Sequence, residues 1–269
     1  GKPRFSFRIT PNYSQVLIIT FLGTGTSQGV PVIGCPCPVC QSLDFRDQRF
    51  RTSIHIAVQG QSFVVDTGPD FRMQMLREGI KKLDAVLFTH EHKDHTAGLD
   101  DIRPFNYYQQ ADIPIFGRAA VLEQLQREYA YIFNDKKYPG VPQVACVEID
   151  HHPFQINGIG ITPIPVLHYK LPVLGFRVGD FSYITDANHI PEESFALLEG
   201  TEILVLNALQ KEAHISHFTL DQAIEQALRI GAKKTYFTHI SHRLGLHDEV
   251  EKELPEGMFL AYDGLKLSS

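Results

Sequence analysis

The segment His90-Glu91-His92-Lys93-Asp94-His95 places three imidazoles and a ligating carboxylate within six residues. In an extended segment alternate side chains share a side, so His90 and His92 can face one metal ion. Asp94 and His95 follow where the chain can turn into a helix through Thr96-Ala97-Gly98, which would aim this second pair at a neighbouring position. Neutral imidazoles and a carboxylate, with no soft thiolate among them, suit zinc, manganese or iron. Two cations held close together repel each other and need a bridging anion. Asp186 is the natural bridge. A hydroxide between the ions would be the nucleophile, because coordination lowers the pKa of water to roughly 7. The expected chemistry is hydrolysis at a dinuclear metal centre.

Such a centre needs a scaffold that aims its ligands. Several apolar runs end in a candidate: 62–65 leads to Asp66, 83–88 to Thr89-His90, 161–167 to His168, 181–185 to Asp186, and 234–238 to His239. A strand fixes direction and the loop after it frees the side chain, so strand ends at one edge are where sites are built. Strand patterns cover 16–21, 52–58, 62–66, 85–88, 159–166, 175–178, 181–184, 203–206 and 234–237. Helical patterns cover 71–78, 119–130, 192–198 and 219–230, the last opening with the capping-box sequence Thr219-Leu220-Asp221-Gln222. Two strand-rich halves punctuated by helices imply two packed sheets with helices outside, an α/β class. Residues 129–144 lack periodicity and read as a loop excursion over a site.

A second metal site is legible in Cys35-Pro36-Cys37-Pro38-Val39-Cys40. Three thiolates call for a fourth ligand to close a tetrahedral structural zinc site, and His242, three residues after His239, is the best candidate. Cys146 reads as a core residue. The segment Gly23-Thr24-Gly25-Thr26-Ser27-Gln28-Gly29 lacks the ending of a phosphate loop and reads as a tight turn that lets backbone approach the metal edge.

His214 and His217 precede the helix at Thr219, whose N-terminus favours anions such as phosphate. His217, nearer the cap, is the better general acid for a departing alkoxide. Asp94 and His217 are the catalytic candidates, Asp94 also as a ligand. Asp66 is expected to orient a ligand rather than bind metal. Arg103 could meet a phosphate or pair with an acid; Phe105, Tyr107 and Tyr108 could line a pocket. His55, His151, His152, His189 and His247 read as structural.

The 269 residues, 43% hydrophobic and 21% charged, suit one globular hydrolase domain over 1–269 with an excursion near 129–144. A net charge of -6 gives no pull towards nucleic acid. The apolar run 16–22 is too short for a bilayer span and lacks a cleavage pattern, so neither a membrane segment nor a secretory signal is expected. Clustered thiols point to a reducing, cytoplasmic compartment. The expected partner is a small phosphodiester, with nucleic acid and membrane disfavoured; a homodimer is compatible with these features.

Thr89-His90-Glu91-His92-Lys93-Asp94-His95, with His168, Asp186 and His239 in order, resembles the metallo-β-lactamase superfamily from about residue 17 to 263. Gly23-Thr24-Gly25 through Gln28-Gly29-Val30-Pro31, Gly34-Cys35-Pro36-Cys37 with Cys40, and Thr238-His239-Ile240-Ser241-His242 resemble more narrowly the phosphoribosyl cyclic phosphodiesterase (PhnP-like) family. The resemblance implies a four-layer αββα sandwich. It also implies His90, His92 and His168 on one metal, Asp94, His95 and His239 on the other, and Asp186 bridging. Zinc or manganese would fill this centre. A structural zinc would sit on Cys35, Cys37, Cys40 and His242, and His217 would be catalytic. Residues 207–213 and 129–144 depart from the family where a substrate would be read.

Three other readings share parts of the pattern. A tRNA 3′-processing endonuclease usually carries an RNA-gripping arm between the ligands matching His168 and Asp186, and residues 169–185 leave no room for one. A pyrroloquinoline-quinone biosynthesis protein would be non-hydrolytic and carry an incomplete ligand set, whereas this set is full. Thioester or lactam hydrolysis is disfavoured by the cysteine motif.

Overall fold

The computed structural model describes residues 16–134 and 138–269. Their strands form two seven-stranded sheets. The first contains β1 (Leu17–Gly23), β2 (Ser53–Val58), β3 (Gln61–Val65), β4 (Ala85–Leu87), β5 (Ile113–Gly117), β6 (Val144–Glu148) and β14 (Lys266–Ser268), in the order β14-β1-β2-β3-β4-β5-β6. The second contains β7 (Phe154–Ile156), β8 (Ile159–His168), β9 (Leu171–Val178), β10 (Phe181–Ile184), β11 (Ile203–Asn207), β12 (Lys234–Thr238) and β13 (Met258–Leu260), in the order β13-β12-β11-β10-β9-β8-β7.

Each sheet is antiparallel on one side and parallel on the other. Strands β14 to β3 and β7 to β10 pair antiparallel, while β3 to β6 and β10 to β13 pair parallel. Parallel neighbours need crossovers, and helices supply them. In the first half these are α1 (Phe71–Glu78), α2 (Lys93–Thr96), α3 (Arg103–Gln109), α4 (Ala119–Glu128) and α5 (Ala130–Phe133). In the second they are α6 (Glu192–Leu198), α7 (Leu220–Ile230) and α8 (His247–Glu251).

The central strands are buried on both faces, which is why their sequences are largely apolar runs. On β10 and β11, Phe181, Tyr183, Ile203 and Val205 enter the core between the sheets, which also holds Phe63, Val65, Ala85 and Leu87 from β3 and β4. The alternate residues Ile184, Leu204 and Leu206 face outward into the layer under α6, α7 and α8. Val64 and Val86 likewise meet α1, α3 and α4. The result is the αββα sandwich expected from the sequence.

The capping box at Thr219 forms as the sequence predicts, with Thr219 accepting from Gln222 N and the Gln222 side chain bonding back to the Thr219 N–H. Some elements differ from expectation. The helical pattern over 119–130 breaks at Tyr129 (φ -111°, ψ 40°), so α4 and α5 are separate. The excursion is not wholly irregular: α5 lies inside it and buries Ile132 in the outer core, and β6 begins at its end. Residues 135–137 of that excursion lie outside the described residues. Cys146 is not a core residue but sits exposed on the edge strand β6. Among the described residues, no helix is long and apolar enough to cross a membrane.

Candidate metal centre

The site lies at the carboxyl ends of the strands, where open α/β sheets place ligands. Asp66 follows β3, His90 follows β4, His168 ends β8, Asp186 follows β10 and His239 follows β12. Asp66, Asp186 and His239 all have positive φ (66°, 57° and 56°), a region that non-glycine residues rarely occupy and that recurs at functional sites.

The ligating atoms of His90, His92 and His168 lie within 4.8 Å of one another, and so do those of Asp94, His95, Asp186 and His239. Asp186 joins the two groups. Its Oδ1 is 4.0 Å from His90 Nε2 and 3.1 Å from His217 Nε2, and its Oδ2 is 3.2 Å from His95 Nε2 and 3.1 Å from His239 Nδ1. The carboxylate therefore turns one oxygen towards each donor set.

The protein holds one nitrogen of several imidazoles and leaves the other facing inward. His95 Nδ1 donates to Asp66 Oδ2 at 2.7 Å, and His168 Nδ1 donates to the Ser216 carbonyl at 2.7 Å. His90 Nδ1 lies 3.0 Å from Thr89 Oγ1, whose hydroxyl donates to Asp66 Oδ2 at 2.8 Å. Such contacts fix the tautomer and ring direction of metal-binding histidines. Asp66 thus steadies His95 directly and His90 through Thr89, and plays the orienting role that the sequence suggests.

Whether this donor set fits a divalent cation can be judged from its buried atoms. His90 Nε2, His95 Nε2 and His239 Nδ1 are buried with no hydrogen-bond partner. Orphaned buried donors and acceptors are costly and rare; a cation at their focus would satisfy them. Charge leads to the same conclusion. Burial opposes ionisation of Asp186, yet His239 and His95 hold its pKa well below the usual carboxylate range. Burial also opposes charge on His95, but Asp186, Asp94 and Asp66 outweigh it and raise its pKa well above the ordinary value. Buried anions therefore favour positive charge here, which a divalent cation would supply. His217 is pulled down to about 4, first by burial, with its hydrogen bond to Asp186 opposing.

The cysteine turn closes as expected. His242 Nδ1 lies 3.3 Å from Cys35 Sγ, 3.4 Å from Cys37 Sγ and 3.5 Å from Cys40 Sγ. Tetrahedral zinc with ordinary bond lengths sets sulfur and nitrogen about 3.5 Å apart, so the four side chains fit a structural zinc. The Val32 and Cys40 amides donate to Cys40 Sγ and Cys37 Sγ, an arrangement that stabilises thiolates.

Other sequence candidates fall elsewhere. The close approach made by Gly23 and Gly25 is to residues 49–51: a Cβ on Gly23 would lie 1.9 Å from the Arg51 carbonyl oxygen. Thr26, from the same turn, is what reaches the centre, its hydroxyl 3.3 Å from His239 Nε2. Arg103 pairs with Asp100 at 2.9 Å. Phe105 is buried, while Tyr107 and Tyr108 are exposed beside surface cavities whose walls include none of the clustered histidines. His214 is exposed, with Nδ1 3.2 Å from His217 Nδ1. His55 bonds Ser62, His247 meets Arg49, and His152 pairs with Asp150. Ser216 and Thr185 carry no site signal in the sequence, because a single hydroxyl or carbonyl has no spacing pattern.

A β-lactamase superfamily domain model matches residues 61–240. The chain belongs to the β-lactamase superfamily. Within that superfamily the chain is PhnP-like. The crystal structure of a diphosphatase from the PhnP family superposes with a TM-score of 0.89 at 42% identity, covering 94% of this chain and 97% of that one. An octanoyltransferase from Porphyromonas gingivalis is 38% identical over 248 residues, 91% of this chain and 50% of that protein. This chain thus spans half the length of that relative. A ribonuclease Z from Mycobacterium sp. (strain KMS) is 27% identical over 257 residues, 82% of this chain and 83% of that protein.

Proposed function

We propose that this protein is a dinuclear metal-dependent phosphodiesterase acting on small substrates, either a cyclic phosphodiester or a diphosphate linkage of the kind its PhnP-family relative is named for. The observation that carries this reading is Asp186, whose Oδ1 faces His90 and His217 while Oδ2 faces His95 and His239. His90, His92 and His168 would hold one ion, Asp94, His95 and His239 the other, with Asp186 between them. Zinc and manganese both suit these donors. Bound there, the ions would lower the pKa of water to roughly 7 and neutralise charge developing at phosphorus.

The chain's own groups do the rest. Asp66, Thr89 and the Ser216 carbonyl keep the imidazoles aimed, so little reorganisation accompanies reaction. His217 Nε2, beside Asp186 Oδ1, is the group placed to give a proton to the leaving oxygen. With its pKa pulled down to about 4 it rests neutral, and an arriving phosphoryl anion would favour its protonated form. The neighbouring His214 is open to solvent, from which that proton can come.

Small substrates are favoured over tRNA because the chain between His168 and Asp186 is spent on β9 and β10, leaving no arm to grip a folded RNA. The domain is proposed to work without a nucleic-acid or membrane partner, in the cytoplasm. A hydrolysis panel tests the reading: linear diesters, 2′,3′-cyclic nucleotides, a 1,2-cyclic ribose phosphate and a diphosphate ester, against thioester and lactam controls. Turnover is expected on one or more phosphorus substrates. Turnover confined to the controls would reject the phosphodiesterase.

A further inference from the structure

The side chain of Tyr183 is fully buried in the core between the sheets, yet its hydroxyl has no hydrogen-bond partner. A phenol in an apolar core usually finds a partner, because leaving its hydroxyl unsatisfied is costly. The surroundings are not apolar at the hydroxyl end. Asp66 and Asp186 both lie near enough to oppose its ionisation, and the Thr185 hydroxyl is close enough to interact with it. Tyr183 lies on β10 and Thr185 follows just after the end of that strand, two residues on. Thr185 Oγ1 donates its proton to Asp186 Oδ2 at 2.7 Å, which leaves its lone pairs free to accept. Tyr183 is a buried donor without an acceptor, and Thr185 is an acceptor beside it.

We propose that Tyr183 is a positioning residue for the metal centre: its hydroxyl supports the Thr185 hydroxyl, which in turn holds the Asp186 carboxylate that faces both donor groups. A donor chain of this kind polarises each successive bond and fixes the second oxygen of a carboxylate whose backbone is already strained at φ 57°. The inference rests on the proposed dinuclear centre but not on the phosphodiester substrate.

The test is Tyr183→Phe, which removes one hydroxyl and keeps the ring that packs the core. Manganese is the metal to use, because the thiolate site disfavours it; free ion is followed by electron paramagnetic resonance during titration of the full chain. At least a tenfold loss of manganese affinity at the centre is expected, the scale seen when outer-shell partners of metal ligands are removed. The metal-free variant should unfold at the same temperature as the metal-free parent or higher, since an unsatisfied hydroxyl has gone. Thr185→Val should give a similar affinity loss, and the double variant should lose little more than either single one. Unchanged manganese affinity in Tyr183→Phe, or strictly additive losses in the double variant, overturns the proposal. If the parent itself binds no manganese at the centre, the dinuclear reading falls and this inference with it. Loss of the phosphodiesterase reading alone would leave the affinity result standing.

Discussion

Asp66 Oδ2 and His95 Nδ1 meet at 2.7 Å in a fully buried contact, and the same oxygen also accepts the Thr89 hydroxyl that stands against His90. One carboxylate therefore steadies a histidine from each donor group. Asp66→Ala should weaken both metal positions together, by about 10–100-fold in affinity, as read by competition with a chelator. Loss at one position alone would show that Thr89 does not transmit the support.

Fully loaded protein should contain about three metal ions per chain, two at the centre and one on Cys35, Cys37, Cys40 and His242. Elemental analysis checks the number. Asp186→Ala should leave the cysteine-bound ion in place and lower occupancy at the centre. A parent chain that never carries more than one ion contradicts the dinuclear arrangement.

His217→Ala should lower kcat by about 10²–10⁴ on a diester with a poor leaving group, and far less on a nitrophenyl ester that departs without a proton. The comparison separates proton donation from binding. Equal losses on both substrates would remove His217 as the acid.

Cys37→Ala opens a site that ties residues 35–40 to His242, about two hundred residues away along the chain. Thermal unfolding should shift to lower temperature and the structural ion should be lost, while any folded fraction keeps its activity. A variant that is stable but inactive would place the cysteines in the chemistry instead.

Stability should vary with pH through groups remote from the metals. Burial, reinforced by the Lys266 charge, lowers His55 from 6.5 to about 4. Between those values the unfolded chain binds more protons than the folded one, so this residue makes stability rise with pH, by up to about 3 kcal/mol across the window. Asp263 works in the opposite sense. Burial pushes it from 3.8 up to about 6, so between those values the folded state holds the extra proton and stability falls as pH rises. Urea unfolding of metal-free protein from pH 4 to 7 should show a shallower rise in His55→Gln and a steeper one in Asp263→Asn. Profiles parallel to that of the parent would refute both assignments.

Much of the scaffold was legible because the central strands are buried on both faces and therefore read as apolar runs, as in Ile203–Asn207 and Phe181–Ile184. Helix α7 announced itself through its capping box. Short or edge elements escaped. Strand β6 is mostly exposed, and α5 hides in a stretch without period; neither buries enough of one face to impose a pattern. Cys146 was misplaced for the same reason, its strand lying at the sheet edge.

The cluster from His90 to His95 shows how far sequence reached. Residue type and spacing determined that metal would be bound and that the cysteine turn would seek His242, because ligand chemistry restricts both composition and local spacing. Only the tertiary structure decided which oxygen of Asp186 meets which histidine, and that Asp66 serves His95 and His90 together. Those relationships join residues from both sheets. They depend on how the strands are ordered and how the sheets face each other, which no local pattern in the chain encodes.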